Sequence, residues 1–297
     1  MMSYMQNAPE QFTIADTCVL VALERNRLTT SRRADRSIEQ RIRQGEGDNS
    51  ITVIRHLFKD GLVRDAIKVE DEAYRAHKDM TAAWIDRGPR LLHGGRMADY
   101  ANMIEGFKSQ LAPLAKQVKD NWSQLVQEDV NRRQVAGAKS VSVDEYPTLF
   151  DITSRDLFTL EWRPMPVPKD SDFRVQVPQH IKDRHKKYLE LAVQGAQEEL
   201  MQRILKPLQA AAEKLSVPVG EKGAIFRDTL IGNLKLAVEQ ARSLNLGNDS
   251  TINGIADEID AMLNAGKLEP DALRTAQQSR QDAAAKLHSL ASRFNGL

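Results

Sequence analysis

Apolar residues along this chain fall mostly at helical spacing, in long stretches separated by a few turns rich in glycine and proline. The clearest stretch carries Tyr100, Met103, Ile104, Phe107, Leu111, Leu114, Val118, Trp122 and Leu125 on one face. It weakens at Asp129, the next slot, although Val126 and Val130 lie close by. Pro113 interrupts it, and because the stripe continues beyond, the spacing predicts a kink there rather than an end. At ~1.5 Å per residue, a helix over 97–133 is a rod of roughly 50 Å. Its stripe is narrow, close to a coiled-coil seam, and needs a partner helix in this chain or in another copy. A second long helix is predicted after Pro178. Its apolar face carries Ile181, Tyr188, Leu191, Ala192, Gly195, Leu200, Ile204, Leu205 and Leu208, with Pro207 inside. This is the natural in-chain partner for the first, giving an antiparallel hairpin of 51–138 with 179–216.

Shorter patterns frame these rods. Thr17–Leu28 reads as a strand whose first half is buried, with a helix as the competing reading. Leu157–Arg163 alternates like a strand and is stopped by Pro164, Pro166 and Pro168. Phe173, Val175 and Val177 alternate in the same way. These three strands are expected to form a small antiparallel sheet on a platform built from 14–50 and 146–178. Asp48, Asn49 and Ser50 read as helix N-caps before Ile51, Ile54, Leu57, Phe58, Leu62, Val63 and Ile67, with Gly61 as a notch or break. A further helix is expected from Val69 to Trp84, stopped at Asp86-Arg87-Gly88-Pro89. The tail, 221–297, reads as a three-helix unit with a turn at Asn245-Leu246-Gly247-Asn248, an end at Gly266 and a start at Pro270. Residues 1–13 look like a loose arm. The fold class expected is therefore mainly α (α+β): a long antiparallel helical hairpin, a small antiparallel β-sheet and a C-terminal helical bundle.

Composition changes this picture little. Of the 297 residues, 41% are hydrophobic but only 5% aromatic, so the core is mainly aliphatic. A formal net charge of +1 means that any nucleic-acid face is local rather than global. The one cysteine, Cys18, sits in an apolar run and reads as a small buried hydrophobe. With no signal-peptide pattern at the start and no run approaching the ~18 apolar residues of a membrane span, the expected setting is a reducing cytoplasm, and the Asn248-Asp249-Ser250 sequon has no role there.

The search for chemistry finds no signature. There is no phosphate loop, no G-x-G-x-x-G turn, no H-E-x-x-H and no G-x-S-x-G elbow. Gly45-Glu46-Gly47 reads as a loop, and His180 and His185 fall on different helix faces. The carboxylates Glu70-Asp71-Glu72 and Asp257-Glu258 with Asp260 read as solvated faces. No catalytic residue, cofactor or metal site is expected, and the chain is not expected to be an enzyme. Trp84 and Trp162 read as structural joints, and Trp122 as core.

Two basic clusters stand out. Arg25, Arg27, Arg32, Arg33, Arg36, Arg41 and Arg43 face only Asp35 and Glu39 over that stretch. Guanidinium groups grip phosphates bidentately, so this is a candidate anionic-partner surface. Residues 24–50 hold no aromatic side chain, so bases cannot stack there. Lys182, Arg184, Lys186 and Lys187 stand at a helix start, where the dipole disfavours cations, and form the second candidate.

Several segments in order, ADTCVLVAL, AWIDRGPRLL, Tyr146-Pro147, EWRPMPVP…DFRV and FRDTLIGNL…LRTAQQSR, resemble the domain-of-unknown-function family 3150 of tailed phages and prophages. The resemblance runs over roughly 16–295 and transfers no catalytic residue. Because members of that family look like genomic neighbours of MoxR-type AAA+ ATPases and von Willebrand A-domain proteins, it implies an adaptor or substrate-recognition role beside an ATPase. Three readings follow: a non-enzymatic interaction or assembly protein that engages a protein partner or self-associates; a nucleic-acid-binding protein of phage replication or recombination; and an enzyme whose site is assembled from distant residues.

Overall fold

The structure, a computed structural model, describes residues 14–34, 36–84, 88–138, 141–169, 172, 176–245 and 250–294. A single turn, α1 (Ile14–Thr17), leads into β1 (Cys18–Asn26), β2 (Ser31–Arg33), α2 (Arg36–Glu46) and β3 (Ile54–His56). Then come α3 (Leu62–Met80), β4 (Ala82–Ala83), β5 (Arg90–His93), α4 (Met97–Asp120) and α5 (Trp122–Val135). After α6 (Leu149–Ser154) and β6 (Thr159–Pro166) the chain is helical: α7 (Gln179–Ser216), α8 (Thr229–Leu244), α9 (Ser250–Asn264), α10 (Pro270–Thr275) and α11 (Gln277–Phe294). The mainly α class with a small antiparallel sheet is what the residue pattern predicts.

The sheet has the order β4-β5-β1-β6, with Cys18 opposite His93 and Val21 opposite Arg90. β1 and β6 are the expected strands. β5 was not foreseen, because Arg90–His93 is too short for periodicity to show. Of the expected third strand, Phe173–Val175 lies outside the described residues, and Val177 is not in a strand. The helix expected from Ile51 is also corrected. Ile51-Thr52-Val53-Ile54 is β-branched throughout and favours extended backbone, and β3 pairs with β2, Ser31 opposite His56. Asp48 caps no helix; its carboxylate accepts from Ser50 N–H over 2.7 Å and closes a turn. Gly61 sits at φ +80°, which no helix interior permits, and α3 starts directly after it. The helix expected up to Trp84 ends at Met80 and gives way to β4.

The chain divides into two compact units. Unit 1 comprises Met1–Ala22, Lys78–Tyr100 and Arg163–Leu297; unit 2 comprises Leu23–His77 and Ala101–Trp162. In unit 1, the second half of α7 packs on α8 and α11. Leu208, Leu215, Leu234, Ile255, Leu287 and Leu290 make a dry aliphatic core there. The tail expected as three helices has four among the described residues, because the expected third breaks at Ala276 (φ −101°, ψ 104°) into α10 and α11, and α7 completes its core. Ala192 and Ala196, further up the same helix, pack on Cys18, Leu20 and Leu91 of the sheet and on Trp84 beside it. Cys18 is buried, as expected, and burial pushes its thiol up. α9 ends in a paired-bond cap at Gly266, φ +67°: Lys267 N–H donates to Met262 O (3.0 Å) and Gly266 N–H to Leu263 O (3.2 Å).

In unit 2, the stripe of α4 and α5 closes on α3 and on Leu57, Phe58, Phe158 and Leu160. The expected rod is two helices. α4 runs through Pro113, and the break falls at Asn121, with φ −106° and ψ 13°. Within unit 2 the apolar partners of α4 and α5 are those just named, and within unit 1 those of α7 are α8, α11 and the sheet. No helix among the described residues is long and apolar enough to cross a membrane.

Candidate interaction surfaces

The seven arginines of 25–43 all lie in unit 2 and separate into two groups. Arg25 and Arg27 stand on the outer half of β1 and turn to α3. Arg27 grips Asp71 bidentately (Nη1–Oδ1 2.9 Å, Nη2–Oδ2 3.1 Å), and Arg25 Nη1 reaches the same carboxylate over 3.3 Å. The Arg25 guanidinium also lies 4.0 Å above the centre of the Tyr74 ring. Glu70, beside Asp71, is fully buried, and its oxygens accept no hydrogen bond among the described residues; the nearest cation is Arg27 Nε at 3.8 Å. Burial pushes its carboxyl up to about 7, held back by Arg27 and Arg25. These two arginines are thereby committed to the acids of α3.

Of the others, Arg33, Arg36 and Arg43 gather around Glu39. This side chain is buried at 3% exposure and accepts from Arg33 Nε (2.7 Å), Arg33 Nη2 (2.8 Å) and Val53 N–H (3.3 Å). The bonds from Arg33 hold its carboxyl below the ordinary range. One turn on, Arg43 Nη2 lies 3.7 Å from Glu39, and Arg43 Nε donates to Ile51 O over 2.7 Å. Arg32, Arg36 and Arg41 are exposed and enter no ion pair among the described residues. A cleft of about 410 Å³ opens here, lined by Arg33, Arg36, Glu39, Gln40, Arg43, Gln44 and Asn49.

Glu39 and the amides of Gln40, Gln44 and Asn49 are what sequence reasoning missed. Their signal is the helical period. Once 36–46 is a helix, residues 36, 40, 43 and 44 share one face.

The second basic cluster lies in unit 1, so the structure does not gather the two into one surface within a unit. Lys182, Arg184, Lys186 and Lys187 are exposed on the first turns of α7 and pair with no carboxylate among the described residues. From Gln179 to Leu191 no side chain is buried, and Tyr188 (44% exposed) and Leu191 (58%) are open although they belong to the predicted apolar face. The buried face of α7 begins only at Ala192.

One apolar groove is open in unit 2. It measures about 480 Å³, with Leu111, Ala115, Phe158 and Leu160 as its floor. Its rim lysines are already neutralised: Lys108 by Glu105 and Glu161, Lys116 by Asp120, Lys119 by Asp156. Among the described residues, no three His, Cys, Asp or Glu side chains converge as a metal site would need.

Compared with protein-family models, curated proteins and solved structures, the chain finds no match.

Proposed function

We propose that this protein is a non-enzymatic interaction or adaptor protein of phage type, which engages an acidic protein partner through the first third of α7. One observation carries this reading: Gln179–Leu191 is helix without a buried side chain, bearing four cations that pair with no carboxylate among the described residues, beside the exposed Tyr188 and Leu191. At ~1.5 Å per residue this arm is roughly 20 Å long. Of this stretch only Leu189 packs, partly buried, on the sheet core, so it gains little from a core, and its cations oppose the helix dipole at that end. Both costs are offset when an acidic, partly apolar surface docks. The resemblance to the domain-of-unknown-function family 3150 supplies a partner class, a MoxR-type AAA+ ATPase, and a cytoplasmic setting accords with it.

The test is co-purification from the native host, with bound protein and bound nucleic acid assayed separately. The reading expects a stoichiometric protein partner that is lost when Lys182, Arg184, Lys186 and Lys187 are all changed to Glu. A chain that is monomeric by light scattering and brings down no partner contradicts it.

A second reading, nucleic-acid binding, is favoured by Arg36 on the Glu39 cleft and by the exposed Arg32 and Arg41, none of which enters an ion pair among the described residues. It expects binding that weakens steeply with salt.

A further inference from the structure

We infer that the cleft between β2 and α2 is a phosphate-binding site, taking one phosphate ester group among Arg33, Arg36 and Arg43. Glu39 organises the cleft. A carboxylate at 3% exposure is costly unless it is paired and hydrogen-bonded, and here it is both. In return it fixes Arg33. The Nε and Nη2 atoms of that guanidinium are bound to Glu39, while Nη1 takes part in neither bond. Arg43 is held on the same side, by Glu39 and by Ile51 O. Two guanidinium groups are therefore set in place before any ligand arrives, which lowers the ordering cost of binding.

The lining sets three arginines against one carboxylate, so the cleft keeps a positive surplus that matches a phosphate ester's charge. Arg36 enters no ion pair among the described residues, so its charge is uncommitted. Gln40, Gln44 and Asn49 add neutral donors around the rim. Recognition ends at the phosphate, because residues 24–50 contain no aromatic ring to stack on a base. The site is therefore indifferent to base identity. This deepens the second reading above and rests on it only for polymeric ligands. A small phosphate compound and a nucleic-acid backbone present the same group.

The experiment titrates the full chain at low salt with pyrophosphate and, separately, with single-stranded oligothymidylate. It compares the wild type with Arg36→Glu and Arg41→Glu, both exposed positions without an ion pair among the described residues, with circular dichroism to confirm folding. Arg36→Glu is expected to weaken binding by about tenfold or more, the worth of one charge-assisted contact. Arg41→Glu, on the same helix but outside the cleft, is expected to change pyrophosphate binding by less than about twofold. Binding of pyrophosphate, sensitive to Arg36→Glu, supports the site with a free phosphate compound as source. Binding of the oligonucleotide alone, with the same sensitivity, supports it with a strand as source. Binding of neither ligand overturns the proposal, and so does equal weakening by Arg36→Glu and Arg41→Glu, which is diffuse charge and no site. Changing the four cations of α7 leaves both titrations unaltered, so failure here and failure of the α7 reading are distinguishable.

Discussion

The Tyr146 hydroxyl donates a 2.6 Å hydrogen bond to Asp129 Oδ2 inside the core of unit 2. The same oxygen accepts from Phe58 N–H over 3.1 Å, and Arg132 pairs with Oδ1. Burial pushes the Asp129 carboxyl up, but Tyr146, Arg132 and the Phe58 amide outweigh it and bring it below its ordinary value. Tyr146 itself is pushed up to about 12, first by burial and then by Asp129. Phe58 stands at φ +50°, a conformation that costs a bulky residue energy, and the Asp129 bond holds it there. Its ring lies 5.3 Å from both Trp122 and Tyr146.

Removing Asp129 therefore strands two buried donors and releases a strained turn. Asp129→Ala is expected to destabilise unit 2 by about 3 kcal/mol. Tyr146→Phe, which deletes one bond but keeps the ring, is expected to cost about 1 kcal/mol. Urea unfolding of both variants checks this, and equal small losses would count against an anchoring role.

Arg280 plays the corresponding part in unit 1. It is 1% exposed, and its guanidinium donates to backbone carbonyls alone: Leu215 O (3.1 Å), Lys214 O (2.8 Å), Ala224 O (2.8 Å) and Leu273 O (3.4 Å). The last carbonyls of a helix lack partners within it and carry negative charge, so a buried cation satisfies the end of α7 while joining it to α10 and to Ala224. Arg280→Met keeps the volume and loses every bond. We expect a loss of about 3 kcal/mol, read as a lower unfolding midpoint for the helical bundle. An unchanged midpoint would mean that water replaces the guanidinium.

Neither anchor is legible as such from the residue pattern. Asp129 looks like the point where an apolar stripe fails, because periodicity registers polarity and cannot show a hydroxyl and an amide arriving from Tyr146 and Phe58. Arg280 sits in a polar stretch, AQQSR, where nothing local marks burial. The long helices, β1, β6 and the Gly266 stop were legible, because each is written in local spacing or in one residue's φ preference. Ile51–Phe58 misled, since its spacing fits a helix while its β-branched side chains and Gly61 favour the extended chain observed. For the candidate surfaces, the arginines were visible, but their division was not. Asp71 and Glu39, which take up Arg25, Arg27 and Arg33, come from helix faces that only the fold brings to them, whereas Arg43 meets Glu39 one turn along α2.

Glu70 gives a dependence on pH. In the folded chain its carboxyl ionises near 7, while in the unfolded chain it does so near 4.5. The fold thus favours the neutral acid. Its contribution is fully present below about pH 4.5 and is lost as pH rises through about 7. Glu70→Gln has no charge to bury. Its stability relative to the wild type is expected to climb steadily above pH 5, reaching about 3 kcal/mol by pH 8 or so. Denaturant midpoints of both chains from pH 5 to 8.5 measure this, and a constant difference across that range would refute it.

In the reading proposed above, Gln179–Leu191 is the surface offered to a partner. Amide hydrogen exchange on the full chain, with and without the co-purified protein, tests it most directly. Amides of 179–191, a stretch with no buried side chain and only Leu189 partly packed, are expected to exchange faster in the free chain than those of 208–215 in the bundle core and to slow on binding, while those of 208–215 stay protected throughout. Protection gained elsewhere, with 179–191 unchanged, would contradict it.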